Sequence, residues 1–261
     1  MTEGLTGAIH ETGHSLYEQG RNVEGDYLDM PVSAALSMGV HESQSLLWER
    51  MVALSKPFQS YLLPKMQAAF PDHANIQSMS AEELYKAINF VKDPSKIRVE
   101  ADEVTYTMHI ILRYEIEKGL IDGSVKVEDV PGIWNQGMED YLGKASRPAT
   151  DAEGVLQDVH WSAGAFAYFP TYSLGAMYAC QIYEKAREEL GPSMEEGIAK
   201  GEFAPLKKWL NEKIHKSGSF HPNGDELMLA VTGKVLDPQV FLRYLREKYT
   251  DIYKLPAAAQ C

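Results

Sequence analysis

Apolar residues recur every three to four positions through most of this chain, a period that predicts α-helices. Leu5, Ile9 and Leu16 give a first helix an apolar face, and Gly20 suits its C-terminal end. The charged stretch 21–32 closes on Met30-Pro31 and reads as a loop. A second helix follows over about 39–54, with Val40, Leu46, Leu47 and Trp48 apolar. Residues 56–70 keep the helical period but are interrupted by Pro57 and Pro64. Ser80 and Glu83 have the spacing of a capping box, opening a helix to about Val91, which Asp93-Pro94-Ser95 breaks. The alternation in Ile97-Arg98-Val99-Glu100-Ala101-Asp102 fits a short strand or an extended entry. Further helices are predicted over 102–118, 127–142, 174–190, 203–216, 225–232 and 237–253, the last with Asp237 as N-cap and Pro238 at the first helical position. Residues 255–261 read as a frayed tail. No repeat, low-complexity tract or linker interrupts the chain, so residues 1–261 are read as a single region.

Composition narrows the class. The chain has 261 residues, 44% of them hydrophobic, enough for a sizeable core. No run of about 18 apolar residues predicts a membrane-spanning helix. The first residues carry neither the basic nor the apolar region of a signal peptide. Cys180 and Cys261 cannot build a disulfide framework, which fits a reducing, cytoplasmic setting; Cys180 reads as a small buried side chain. A net charge of −12 argues against nucleic acid as a partner.

The candidate chemistry starts at His10-Glu11-Thr12-Gly13-His14, an H-E-x-x-H pattern. Residues four apart share a helix face, so His10 and His14 can offer two imidazole nitrogens to one metal ion. Glu11, one residue on, can reach a water beside the metal and act as a base. Glu42 lies 28 residues after His14, among apolar neighbours where a carboxylate needs a partner. It is the candidate third ligand of a His₂Glu site with an open position; Glu49 and Asp102 are the alternatives. The stretch from Gly154 to Trp161, with Tyr168, Phe169 and Tyr172 after it, is dense in groups able to hydrogen-bond a substrate, Gln157 and Asp158 among them. His109 reads as a packed, hydrogen-bonded histidine.

Four motifs in order, His10-Glu11-Thr12-Gly13-His14, His41-Glu42-Ser43-Gln44, Ile97 to Asp102 and Gly154 to Trp161, resemble the HExxH, HES-Q, IRxxAD and GxxQDxHW motifs of the M32 metallocarboxypeptidases. The resemblance runs to about Tyr249. It implies a mainly α, gluzincin-type half with at most a small β-sheet near the site. It implies one divalent metal, zinc or cobalt, held by His10, His14 and Glu42. The activity implied is removal of single residues from peptides with a free C-terminus, by a homodimer. By resemblance and by chemistry, His160 and Tyr172 are expected to donate to the developing oxyanion. Arg98 is expected to hold the substrate carboxylate, because its planar fork donates two parallel hydrogen bonds; the alternative is a structural pair with Glu100, Asp102 or another acid. Family members are roughly twice this length, and their upstream HPF and DxRxT motifs do not occur in this chain. Two other readings stand beside this one: a catalytically incomplete fragment that keeps the fold and metal site as a binding or dimerising module, and an endopeptidase of the same metal class.

Overall fold

The computed structural model describes residues 2–91 and 93–256. Among these residues there are twelve α-helices and no strand. In chain order they are α1 (Thr2–Gly20), α2 (Met38–Leu46), α3 (Lys56–Ala69), α4 (Ala74–Ser78), α5 (Ala81–Ile88), α6 (Tyr106–Asp122), α7 (Val130–Leu142), α8 (Pro170–Leu190), α9 (Ser193–Ile198), α10 (Ala204–Lys213), α11 (Gly224–Thr232) and α12 (Pro238–Tyr253). None of the described helices is long and apolar enough to cross a membrane.

The local signals act as their chemistry dictates. Ser80 and Glu83 close a reciprocal capping box at the start of α5, and Asp237 accepts the Gln239 N–H at the start of α12. Pro57 sits in the first turn of α3, where no N–H is needed, and α3 then runs on through Pro64. The sequence expectation of interruption there is not met. α2 continues without a break into a π-helical stretch, Leu47–Ala53. The short helices α4 and α9 are too brief to show a period in the sequence. Residues 257–261, most of the predicted tail, lie outside the described residues.

Two compact units divide the chain, Met1–Asn89 with Leu174–Cys261, and Phe90–Ser173. The first has one core in which Tyr17 of α1, Leu46 of α2, Ala179 and Ile182 of α8, Leu210 of α10 and Met228 of α11 are all at most 2% exposed. Burying each of the large ones contributes about 1.5–3 kcal/mol before entropy is counted. The buried side of α1 is Gly13 and Tyr17, with Ile9 and Leu16 half-buried, whereas Leu5 is exposed. Cys180 is buried in this core, with its Sγ 3.8 Å from the Val240 carbonyl oxygen.

The second unit packs α6 on α7 through Leu112, Ile116, Trp134 and Met138. Its entry, Ile97 to Asp102, contains a single 3₁₀ turn at Arg98–Glu100 between two extended residues, so the extended-entry alternative describes it and the strand does not form. The Arg98 N–H that a sheet would use goes to Gln157 Oε1 at 2.8 Å. Asp102 accepts the Val104 and Thr105 N–H groups, which starts the turn into α6.

Candidate metal centre

Helices of the first unit build the centre. His10 and His14 stand one turn apart on α1 with ring centroids 4.9 Å apart. Gly13, between them, faces α2 so closely that a Cβ would lie 2.5 Å from the Gln44 carbonyl oxygen. Only glycine permits that approach, and it brings Glu42 of α2 to both imidazoles. Glu42 Oε2 is 3.7 Å from His10 Nε2 and 3.4 Å from His14 Nε2. Gly175 of α8 closes on the stem of Glu42, where a Cβ would lie 2.6 Å from its Cγ. The carboxylate is thus buried, accepting the Ser45 hydroxyl at 3.3 Å. One ligand atom from each of His10, His14 and Glu42 falls within 4.8 Å of the other two. Two imidazole nitrogens and one buried carboxylate are the donor set of an open divalent site, so these residues fit a metal ion.

Further groups orient the donors. His10 Nδ1 lies 2.7 Å from Glu49 Oε2. A carboxylate only accepts, so Nδ1 carries the hydrogen and Nε2 presents its lone pair. Burial pulls the His10 pKa down, but the Glu49 hydrogen bond and the charges of Glu42, Glu49 and Glu11 outweigh it and leave it raised. Burial likewise pushes the Glu49 carboxyl up, while the His10 hydrogen bond and the Arg50 charge hold it below the usual range. His14 Nδ1 meets His41 Nδ1 at 2.6 Å, and His41 Nε2 meets Glu18 Oε1 at 2.8 Å. Glu11 is exposed beside His10. Sequence reasoning held Glu49 only as a substitute ligand, gave His41 no role beyond its place in the 41–44 motif, and missed Glu18. A signal existed for Glu18, which continues the four-residue spacing of His10 and His14 down one face of α1.

The second unit gathers the other candidates. Asp158 accepts Arg98 Nη2 at 2.7 Å and Nε at 3.1 Å, and Arg113 Nε at 2.7 Å. Arg98 Nη1 donates to the Tyr106 hydroxyl at 2.7 Å. Gln157 accepts from the Arg98 N–H and Arg113 Nη2 and donates to the Lys96 and Glu153 carbonyls. The fork expected to face a substrate carboxylate is therefore engaged by Asp158 and Tyr106. Arg98, Gln157 and Asp158 bind one another, with fully buried Arg113 as their fourth member. Burial pushes the Asp158 carboxyl up, and the two guanidinium groups reverse this and hold it low. His160 Nε2 lies 2.9 Å from the Tyr172 hydroxyl, and its ring packs on Phe169 with centroids 4.2 Å apart. Burial, helped by Arg98 and Arg113, lowers the His160 pKa, which favours the neutral ring. His109 is fully buried, and burial drops its pKa to about 4.

Residues 1–249 match the family model of the Carboxypeptidase Taq (M32) metallopeptidases. Carboxypeptidase 1 of Bacillus subtilis is 45% identical over 251 residues, 96% of this chain and 48% of that protein. Thermostable carboxypeptidase 1 of Thermus thermophilus is 44% identical over 251 residues, 96% of this chain and 47% of that protein. The crystal structure of the M32 carboxypeptidase from Deinococcus radiodurans superposes with a TM-score of 0.90 at 36% identity, covering 97% of this chain and 50% of that one. The chain spans about half the length of the curated relatives it matches. A match of this extent to the family model makes the chain a member of the Carboxypeptidase Taq (M32) metallopeptidase family.

Proposed function

We propose that this chain carries the metal centre of a carboxypeptidase, hydrolysing the last peptide bond of peptides with a free C-terminus. The juxtaposition of His10, His14 and Glu42 carries this reading. These three residues would hold the ion, with zinc as the first expectation for the donor set and cobalt as the second. When bound, a divalent ion supplies Lewis acidity, polarising the scissile carbonyl and making water more acidic. Glu11, exposed and next to His10, takes the proton of the attacking water and delivers it to the leaving amine nitrogen. For His160 and Tyr172 as donors to the oxyanion, the support is the family resemblance of the 154–161 stretch and the hydrogen bond that pairs the two side chains. Arg98 as reader of the substrate carboxylate remains part of the proposal, and its engagement with Asp158 sets the test given below. The named relatives are carboxypeptidases, which favours exopeptidase over endopeptidase chemistry. A cytoplasmic homodimer completes the reading.

The half-length match favours one further reading, a module that keeps the fold and the metal but lacks activity by itself. One experiment separates them. The protein is loaded with one equivalent of zinc and given an N-blocked dipeptide, and released amino acid is followed. Metal-dependent release supports the enzyme. Bound metal without release supports the module.

A further inference from the structure

The second histidine of the metal centre is held differently from the first. His10 hydrogen-bonds a carboxylate directly, whereas another imidazole stands between His14 and its carboxylate. We infer that His41 is a positioning residue for the metal. It accepts the Nδ1 hydrogen of His14, and Glu18 fixes it in the tautomer that can do so.

The argument is one of donors and acceptors. Two ring nitrogens 2.6 Å apart must share one hydrogen. Glu18 Oε1 lies 2.8 Å from the other nitrogen of His41, and a carboxylate only accepts. The hydrogen of a neutral His41 is therefore on Nε2, and its Nδ1 is a lone pair. The shared hydrogen then belongs to His14 Nδ1, which leaves His14 Nε2 bare, 3.4 Å from Glu42 Oε2. Reversing the His14–His41 bond would put a hydrogen on His14 Nε2, opposite Glu42, and close that nitrogen to a cation. The chain is anchored at its far end. Arg21 donates through Nη2 to Glu18 Oε2 and through Nη1 to the Ser33 carbonyl. His41 also packs in a T-shaped contact with the fully buried Tyr17 ring, 5.2 Å between centroids, and Tyr17 in turn accepts the Leu36 N–H. The loop after α1 is thereby coupled to one ligand of the site. Groups behind a ligating histidine commonly set about 10–100-fold in metal affinity.

This inference rests on the metal-centre reading, and the experiment keeps the two apart. Imidazole ¹⁵N–¹H correlation spectra of the metal-free native protein report which nitrogen of His14 bears hydrogen. Zinc affinity is measured by chelator competition for the native protein, His41→Leu and His41→Gln, with circular dichroism to confirm folding. The expected results are hydrogen on His14 Nδ1, a 10–100-fold weaker site in His41→Leu, and affinity within a few-fold of native in His41→Gln, whose amide can both accept and donate. Hydrogen on His14 Nε2, or native affinity in a folded His41→Leu, overturns the inference. A native protein that binds no zinc defeats the metal-centre reading instead, and the tautomer of His14 then decides the inference alone.

Discussion

Gly13 lies against the backbone of Gln44, where a Cβ would stand 2.5 Å from the carbonyl oxygen and 2.6 Å from Cα of Ser45. Alanine is the better helix former by about 1 kcal/mol, but the contact is with backbone and cannot yield cheaply. Gly13→Ala should therefore push α1 from α2, cost about 1–3 kcal/mol of stability and weaken zinc binding. Urea midpoints and chelator competition read both effects. A variant as stable as the native protein, with zinc held as tightly, would show that the two helices are free to part.

Glu11→Gln keeps volume and hydrogen bonding but removes the basicity. Peptide hydrolysis should fall by about two to four orders of magnitude with one metal ion still bound. Loss of the metal on this substitution would make Glu11 a ligand and not the base.

Glu42 has its carboxylate buried against two imidazoles and a serine hydroxyl. Glu42→Ala should abolish stoichiometric zinc after dialysis against a mild chelator. In metal-free protein it should cost little, because an alanine removes a buried charge along with the ligand. Metal analysis together with melting of the metal-free form checks the pair of expectations. Unchanged stoichiometry would move the third ligand to another residue, Glu49 first.

His215 is fully buried between the side-chain amides of Asn211 and Gln44, its ring nitrogens 2.7 and 2.9 Å from them, and burial drops its pKa to about 3. The unfolded chain takes up this proton near pH 6.5 and the folded one does not. Its contribution is therefore fully present above about pH 6.5 and is lost as pH falls toward 3. Each pH unit crossed in that window removes up to about 1.4 kcal/mol. Urea unfolding at pH 7 and pH 4.5 should show the native protein losing more stability than His215→Asn. Parallel losses in the two proteins would mean that His215 is protonated within the fold.

The proposed role of Arg98 in reading a free C-terminus competes with its place in the Asp158 network. A lysine at this position cannot keep the Asp158 fork and the Tyr106 bond together. Rates on a peptide acid and on its C-terminal amide separate the roles. If Arg98 reads the carboxylate, Arg98→Lys should lose rate on the acid much more than on the amide. Equal losses on both, with metal retained, would assign Arg98 to the Asp158 network alone.

The sequence by itself determined the helical class and the shared face of the first candidate ligand pair, because both depend on a period of 3.6 residues. His10 and His14 share a face on any α-helix, and the caps at Ser80 and Asp237 use only neighbouring atoms. It also singled out Glu42, since a carboxylate among apolar residues needs a partner. Tertiary structure decided what depends on the separation of backbones. Gly13 and Gly175 bring α1 and α8 onto Glu42, a closeness that no local pattern encodes. Hydrogen bonds between residues far apart in the chain did the rest. They placed Glu49 behind His10 and His41 behind His14, and they joined Arg98, 60 positions away, to Asp158. A side chain rich in donors looks the same in sequence whether it meets a substrate or an aspartate, and only the fold shows which acceptor stands within reach.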